Sequence, residues 1–378
     1  MPIPYHILKE SSIDQAVDLL LFEAASASAS ELILEPNNQG ASVRMRRDGL
    51  VHELFRHSKE THVAFITRLK ELAHLREDAP VAAQEGLLRR AVDHASAEGH
   101  LSVVPVLEGE KALLRLRPER PGFMELGFSE DHRALLLRVL KRRSGLLLIA
   151  GPRRSGLTTT LHALLETVSA WRDHVALIED RGEADLPGID QEEADAPASR
   201  NFSSLLRSAL ARGADVIGLG ALRDEETAAI AMSAAEHRLV IAVVEADTAS
   251  KALMRLLDLR VEPRRAASVL MGVLTERLVR RVCADCRRRE TLTLAEALST
   301  GWPKSLARKF FDTKSAAVIT RGEKCEACRT TGHRGQIGLF ELMDLTAPER
   351  RRATLMEDGV RKALAGTIAP EELLRLKS

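Results

Sequence analysis

The sequence predicts a doubly wound α/β domain preceded by a smaller α+β segment, and three observations carry that prediction. From Leu126 onward, continuous apolar runs alternate with helical patterns, as a parallel sheet covered on both faces requires. A glycine-rich loop, Gly151-Pro-Arg-Arg-Ser-Gly156, lies between one such run and a helix. Before residue 118 the pattern changes to short alternating strands with a hairpin-type turn at Asp48-Gly49.

Taken in order, the first segment opens with an amphipathic helix, Ile13-Asp-Gln-Ala-Val-Asp-Leu-Leu-Leu-Phe-Glu-Ala24. Ile33-Leu-Glu-Pro and the stretch from Val43 through Leu54 read as strands. Pro118, Pro121 and Gly122 punctuate a link, giving an N-terminal domain at 1–120 and a second domain at 126–378. In the second domain the apolar runs 146–149, 175–178, 216–219 and 239–244 are the expected strands, with ligand chemistry at their carboxyl ends. Residues 277–338 form an excursion, and the charged tail 347–378 is expected to be helical.

Gly151 to Thr159 has the spacing of the phosphate-binding motif G-x-x-x-x-G-K-[ST]. Its strand–loop–helix setting separates a real loop of this kind from a chance match. Where a lysine would reach the phosphates stands Leu157. On the loop alone, two readings stay open: a nucleotide motor that has lost its chemistry, or an accidental match.

The four cysteines form two C-x-x-C pairs, Cys283/Cys286 and Cys325/Cys328. In a reducing compartment such pairs read as a tetrahedral zinc site. Disulfides are disfavoured there, and buried free thiols are the remaining alternative. Four thiolates leave no open position, so this zinc would be structural. Arg287, Arg288, Arg289 and Lys324 would offset its negative charge. An excursion this short is expected to hold no core of its own.

Composition excludes several classes. With 45% hydrophobic and 29% charged residues, the chain reads as a soluble globular protein. The net charge of +1 and the 3% aromatic content argue against a nucleic-acid partner. No apolar run approaches the roughly 18 residues of a membrane span. A cytoplasmic location is expected, with membrane association only through a partner.

Further motifs point to a family. Ala29-Ser-Glu-Leu-Ile-Leu-Glu35-Pro36 resembles A-S-D-I-H-I-E-P, and Val43-Arg44-Met-Arg46-Arg-Asp48-Gly49 resembles V-R-x-R-x-D-G. Gly109-Glu110-Lys111 with Arg115 resembles G-E-K-x-x-x-R. Gly220-Ala-Leu-Arg223-Asp224-Glu-Glu226-Thr227-Ala228 resembles G-E-I-R-D-x-E-T-A. Arg277 to Cys283 and Gly332 to Glu341 resemble the flanks of the family's cysteine pairs. Over nearly its whole length the chain resembles the ATPases of type II secretion and type IV pilus assembly.

That resemblance implies a PAS-like N-terminal domain, a RecA-like motor domain and a ring of six subunits with ATP between the domains. Hydrolysis in the family drives an inner-membrane platform protein that assembles or retracts pilin-like filaments. Carried over by position, Gly151, Pro152, Ser155, Gly156, Thr158 and Thr159 would hold the nucleotide, with Thr158 on Mg²⁺. Arg44 and Arg46 would face the phosphates, and Glu179, Asp180 and Glu183 match the acidic box E-D-P-x-E. The family's additional N-terminal docking domain is expected to be missing, and the short spacing from Met343 to the tail implies a deletion in the motor domain.

Three departures fall on the chemistry. Leu157 replaces the loop lysine, Ala221 replaces the Walker B glutamate, and Glu245 stands where the family has histidine. Arg154 also replaces a glycine, and an arginine is expected to resist the φ > 0 backbone that such a loop uses. The implied protein is a catalytically degenerate subunit that partners the platform or an active paralogous ATPase, in a homo- or hetero-hexamer, with ATP and Mg²⁺ in doubt. The alternative is a slow motor in which Arg153 or Arg154 takes over from lysine.

Overall fold

The computed structural model describes residues 12–77, 82–92, 95–117, 120–180, 182, 184–195, 200–311, 316–346 and 353–377. Glu183 of the acidic box and residues 347–352 of the tail lie outside them. The chain divides into two compact units, Met1–Arg120 and Pro121–Ser378.

The first unit is a six-stranded antiparallel sheet of β1 (Glu31–Asn37), β2 (Gly40–Arg47), β3 (Leu50–His57), β4 (Gln84–Val92), β5 (Ala95–Val106) and β6 (Gly109–Leu116), in the order β3-β2-β1-β6-β5-β4. Helices Ile13–Ser26 and Lys59–Leu72 pack their apolar stripes on it, joining Leu21, Phe65 and Leu69 to Leu34, Val43, Met45 and Leu114. Each helix starts on a serine, Ser12 or Ser58, whose side chain accepts from a backbone N–H of the first turn. The β2–β3 turn has positive φ at Asp48 and Gly49, the backbone a two-residue hairpin turn of type I′ demands.

Alternation on β2 decides where its arginines go. Val43 and Met45 face the core, so Arg44 and Arg46 lie on the other face of the strand. There Arg44 pairs with Glu35, and Arg46 Nε lies 2.6 Å from Glu31 Oε2.

In the second unit, β7 (Gly145–Gly151), β8 (Val175–Glu179), β9 (Ile189–Glu193), β10 (Val216–Leu219), β11 (Leu239–Glu245) and β12 (Leu270–Val282) run parallel. Successive side chains divide between two cores. Leu146, Leu148, Ala150 and Ala242 face the Phe202–Ala211 and Glu225–Ala235 helices. Leu147, Ile149, Ile241 and Val243 face the Glu130–Leu140 and Leu157–Ser169 helices. Continuous apolar runs follow from burial on both faces.

The chain leaves the sheet after Val282, forms the β13 (Arg287–Leu292) and β14 (Ala317–Gly322) ribbon and two short helices, Leu294–Ser299 and Lys304–Phe311, and returns as β15 (His333–Asp344). β15 lies antiparallel to β12 and completes the sheet, in the order β15-β12-β7-β11-β10-β8-β9. Residues 277–282 and 333–338 therefore belong to the sheet, and the excursion proper is narrower than 277–338.

The core of the excursion is not its own but shared with the rest of the unit. Leu292, Ala297, Trp302, Ala307 and Ile319 pack with Val360, Ala363, Ile368 and Leu373 from the chain's last segment. That segment is helical, Leu355–Leu364 followed by a 3-10 turn Pro370–Lys377. It is fastened to β12 by buried Glu372, which accepts from the backbone N–H and the Nε of Arg280, each at 2.9 Å.

Candidate nucleotide-type loop and cysteine cluster

The loop begins where β7 ends at Gly151 and closes where the Leu157–Ser169 helix starts at Gly156. Two residues take left-handed backbone, Arg154 at φ 66° and Gly156 at φ 102°. Arg154 thus takes the conformation an arginine was expected to resist. The loop keeps the turn with an arginine in it, at the roughly 1–2 kcal/mol that a Cβ costs there. Gly156 is more constrained, because a Cβ on it would lie 2.5 Å from Glu276 Oε1.

Leu157, at the lysine position, turns inward. It is 8% exposed and belongs to the core beneath the loop. Ser155 is buried, and its Oγ has no hydrogen-bond partner. The helix that follows carries no side-chain cap at Gly156. Thr158 and Thr159 are half-buried in its first turn.

Of the loop's two exposed arginines, Arg153 is engaged. Arg153 Nε donates to both oxygens of Glu245 at 3.1 and 3.3 Å. Strand register explains this, since Glu245 is the parallel partner of Gly151 at the carboxyl ends of β11 and β7. The position where the family has histidine therefore presents an acid that pairs with the loop.

Of the acidic box, Glu179 and Asp180 take different environments. Glu179 ends β8 and is buried, with Oε2 3.0 Å from His162 Nε2. Its Oε1 is buried without a hydrogen-bond partner. Asp180 is exposed and bound by both terminal nitrogens of Arg223. Ala221 is buried in the core just beyond β10. Strand ends bring Gly151, Glu179, Gly220 and Glu245 to one edge of the sheet, whereas Arg44 and Arg46 lie in the first unit, paired with acids.

Sequence reasoning missed two residues here. His162 lies fully buried on the loop helix, and its signal was a polar residue on that helix's apolar face. Glu276 on β12 is also fully buried, and Thr160 Oγ1 donates to its Oε2 at 2.7 Å. Burial pushes the Glu276 carboxyl up to about 8, against the smaller pull of Thr160 and of the Lys362 charge. Lys362 is committed elsewhere, donating to Gly338 O at 2.6 Å and to Asp358. Glu276 thus holds its proton to higher pH than an exposed glutamate would.

The four cysteine sulfurs all lie within 4.8 Å of one another. Cys283–Cys325, Cys286–Cys328 and Cys325–Cys328 are separated by 3.9, 3.8 and 3.6 Å. The backbone turns after Cys325 through left-handed Arg329 and Thr330. Burial pushes the Cys328 thiol up, but the N–H groups of Cys325 and Gly332, at 3.5 and 3.2 Å, outweigh this and bring it to about 6. Burial and the neighbouring sulfurs push Cys286 up. The cluster could hold a metal ion.

A doubly wound sheet with a glycine loop leading into a helix, and a buried acid on a neighbouring strand end, defines a P-loop type of protein. A family model described as "Type II/IV secretion system protein" matches residues 7–371, and the chain belongs to that family. It is 30% identical to the type II secretion system protein E of Pseudomonas aeruginosa, over 97% of this chain and 76% of that protein. With the type IV pilus assembly ATPase PilB of Thermus thermophilus it shares 31% identity, over 97% of this chain and 43% of that one. Among solved structures, the ATPase DotB of Legionella pneumophila superposes with a TM-score of 0.68 at 14% identity, over 95% of this chain and 94% of that one. The pilus retraction motor PilT with bound ADP gives 0.52 at 24% identity, over 71% and 79%. At these identities the two structures bear on the fold alone. No helix among the described residues is long and apolar enough to cross a membrane.

Proposed function

We propose that this chain is a non-hydrolysing member of its family, serving a type II secretion or type IV pilus machine as a structural or regulatory subunit. The observation that carries the reading is Leu157, packed in the core where the family's lysine would meet phosphate. A charge-assisted bond of that kind contributes about 1.5–3 kcal/mol, and the neighbouring Arg153 is turned to Glu245. Ala221 removes a second group and Glu245 adds a repulsive one. Losing several transition-state contacts, each commonly a roughly 10²–10³-fold effect, leaves negligible turnover.

The partners in this reading are an inner-membrane platform protein, an active paralogous ATPase, or both, in a homo- or hetero-hexamer. The protein would be cytoplasmic and peripheral to the membrane through such a partner. A PAS-like first unit and a RecA-like second unit would act by shape. The cysteines would hold structural zinc, since Zn–S bonds of about 2.3 Å in a tetrahedron set sulfurs about 3.8 Å apart, close to the spacings found. Phosphate release from Mg²⁺-ATP tests the reading, and turnover on the order of 1 s⁻¹ would refute it.

A second reading, a slow motor, draws on Glu179. His162 holds one of its carboxyl oxygens and leaves the other without a partner, as a water-orienting group requires. In that case Arg154 would replace the lysine. ATP affinity lost in Arg154→Gly would support this reading, and affinity gained would end it.

A further inference from the structure

We infer that the loop takes a phosphate group only while Glu276 is protonated, so that anion binding at this site is linked to a proton. The inference deepens the reading above: it assumes the loop keeps a ligand site without hydrolysing the ligand.

Two independent observations mark the site. Ser155 Oγ is buried in the loop with no hydrogen-bond partner, a donor in search of an acceptor. The Leu157–Ser169 helix starts there without a side-chain cap, and its first backbone N–H groups favour an anion. No lysine reaches the site, because Leu157 is packed away at that position, and Arg153 is held by Glu245.

Beneath it stands Glu276. Its Oε1 is placed so that a Cβ on Gly156 would lie 2.5 Å away, while its Oε2 accepts from Thr160. An ionised carboxylate here would face a bound phosphate across the thickness of one glycine, in a buried setting where like charges are poorly screened. A neutral carboxyl would not repel it.

The groups around Glu276 leave the proton as its means of neutralisation. From the loop helix comes only the Thr160 hydroxyl. From the Leu355–Leu364 helix come Lys362 and Asp358, already bonded to each other and to Gly338 O and Phe340 N. From the Glu130–Leu140 helix, buried His132 faces Asp358 and Lys362, and burial holds it below its ordinary value. On β12 itself, Arg277 is turned to Asp247, and β15 presents Phe340 opposite Glu276. Burial sets the carboxyl to titrate near 8. A bound anion would raise it further and draw in a proton.

The test is calorimetric titration of the full chain with Mg²⁺-free ADP from about pH 7.5 to about pH 9.5, where loss of one linked proton weakens binding by up to about tenfold per pH unit. Wild type should show that fall, with proton uptake visible as a buffer-dependent heat. Glu276→Gln should bind with a flat profile, and Thr160→Val should move the fall to higher pH, because the ionised carboxylate loses its donor. Circular dichroism verifies that both variants fold. An equal slope in wild type and Glu276→Gln overturns the inference, as does absence of ADP binding at every pH. Neither outcome bears on phosphate release, so the non-hydrolysing reading stands or falls separately.

Discussion

Arg153 and Glu245 face each other across the end of the sheet, Nε to Oε1 at 3.1 Å, and tie the loop after β7 to the last residue of β11. Arg153 and Glu245 neutralise one another. Both side chains are largely exposed, so the pair is weak, and screening by salt weakens it further. Glu245→Gln should therefore free Arg153 and tighten Mg²⁺-ADP binding by no more than about fivefold, the equivalent of an exposed pair. Isothermal titration at low and high salt checks this. Weaker binding in the variant would show that Glu245 does not oppose the ligand.

Glu276 should also set the pH dependence of stability. An unfolded glutamate ionises near 4.5, whereas the buried one holds its proton to about 8. The unfolded chain thus releases its proton first, and stability contributed by this group falls as pH rises between those values, then levels off. Thermal unfolding of wild type across this window should show a component of that sign, absent in Glu276→Gln. Identical pH profiles would place the carboxyl in water.

Gly156→Ala should be costly and Thr158→Ala mild. The alanine meets both a φ of 102° and the Glu276 carboxyl, and strain of this kind costs about 1–3 kcal/mol, lowering Tm by several degrees. Thr158 is half-buried with no such contact described, so its variant should melt within about 1–2 °C of wild type. Differential scanning calorimetry decides. Equal melting would mean that the loop relaxes away from Glu276.

Metal removal should loosen one end of the excursion and spare the other. Cys283→Ser or chelation should open the backbone around the cysteine pairs to hydrogen exchange. Trp302, 2% exposed in a core shared with Val360 and Leu373, should keep its blue-shifted emission. A red shift of Trp302 in step with metal loss would mean that the cysteines hold up the whole excursion.

What was legible in the sequence followed from local pattern. Apolar runs marked the central strands of the second unit because both faces of that sheet are buried, and Asp48-Gly49 marked the β2–β3 hairpin of the first unit because few residue pairs tolerate positive φ twice. The loop was legible from spacing, and the cysteine pairs from their turns. What was not legible depended on residues far apart in the chain. Trp302 looks isolated until Leu373 is brought against it. Glu276 reads as a polar strand residue beside Arg277, and only the closure of β15 and two helices over it makes it a buried acid. Arg44 and Arg46 carried a phosphate role only through the family resemblance, and their pairing with Glu35 and Glu31 across β1 and β2 was not legible locally. Arg154 was expected to resist a positive φ, a local propensity that the loop's turn overrides.

The central claim is that Leu157, Ala221 and Glu245 together end hydrolysis, and phosphate release from Mg²⁺-ATP by the purified chain tests it most directly. Working enzymes commonly turn over at 1 s⁻¹ or faster, by order of magnitude, and the account predicts release at least about 10³-fold slower, unchanged in Glu179→Gln. Release on the order of 1 s⁻¹ that Glu179→Gln abolishes would contradict it.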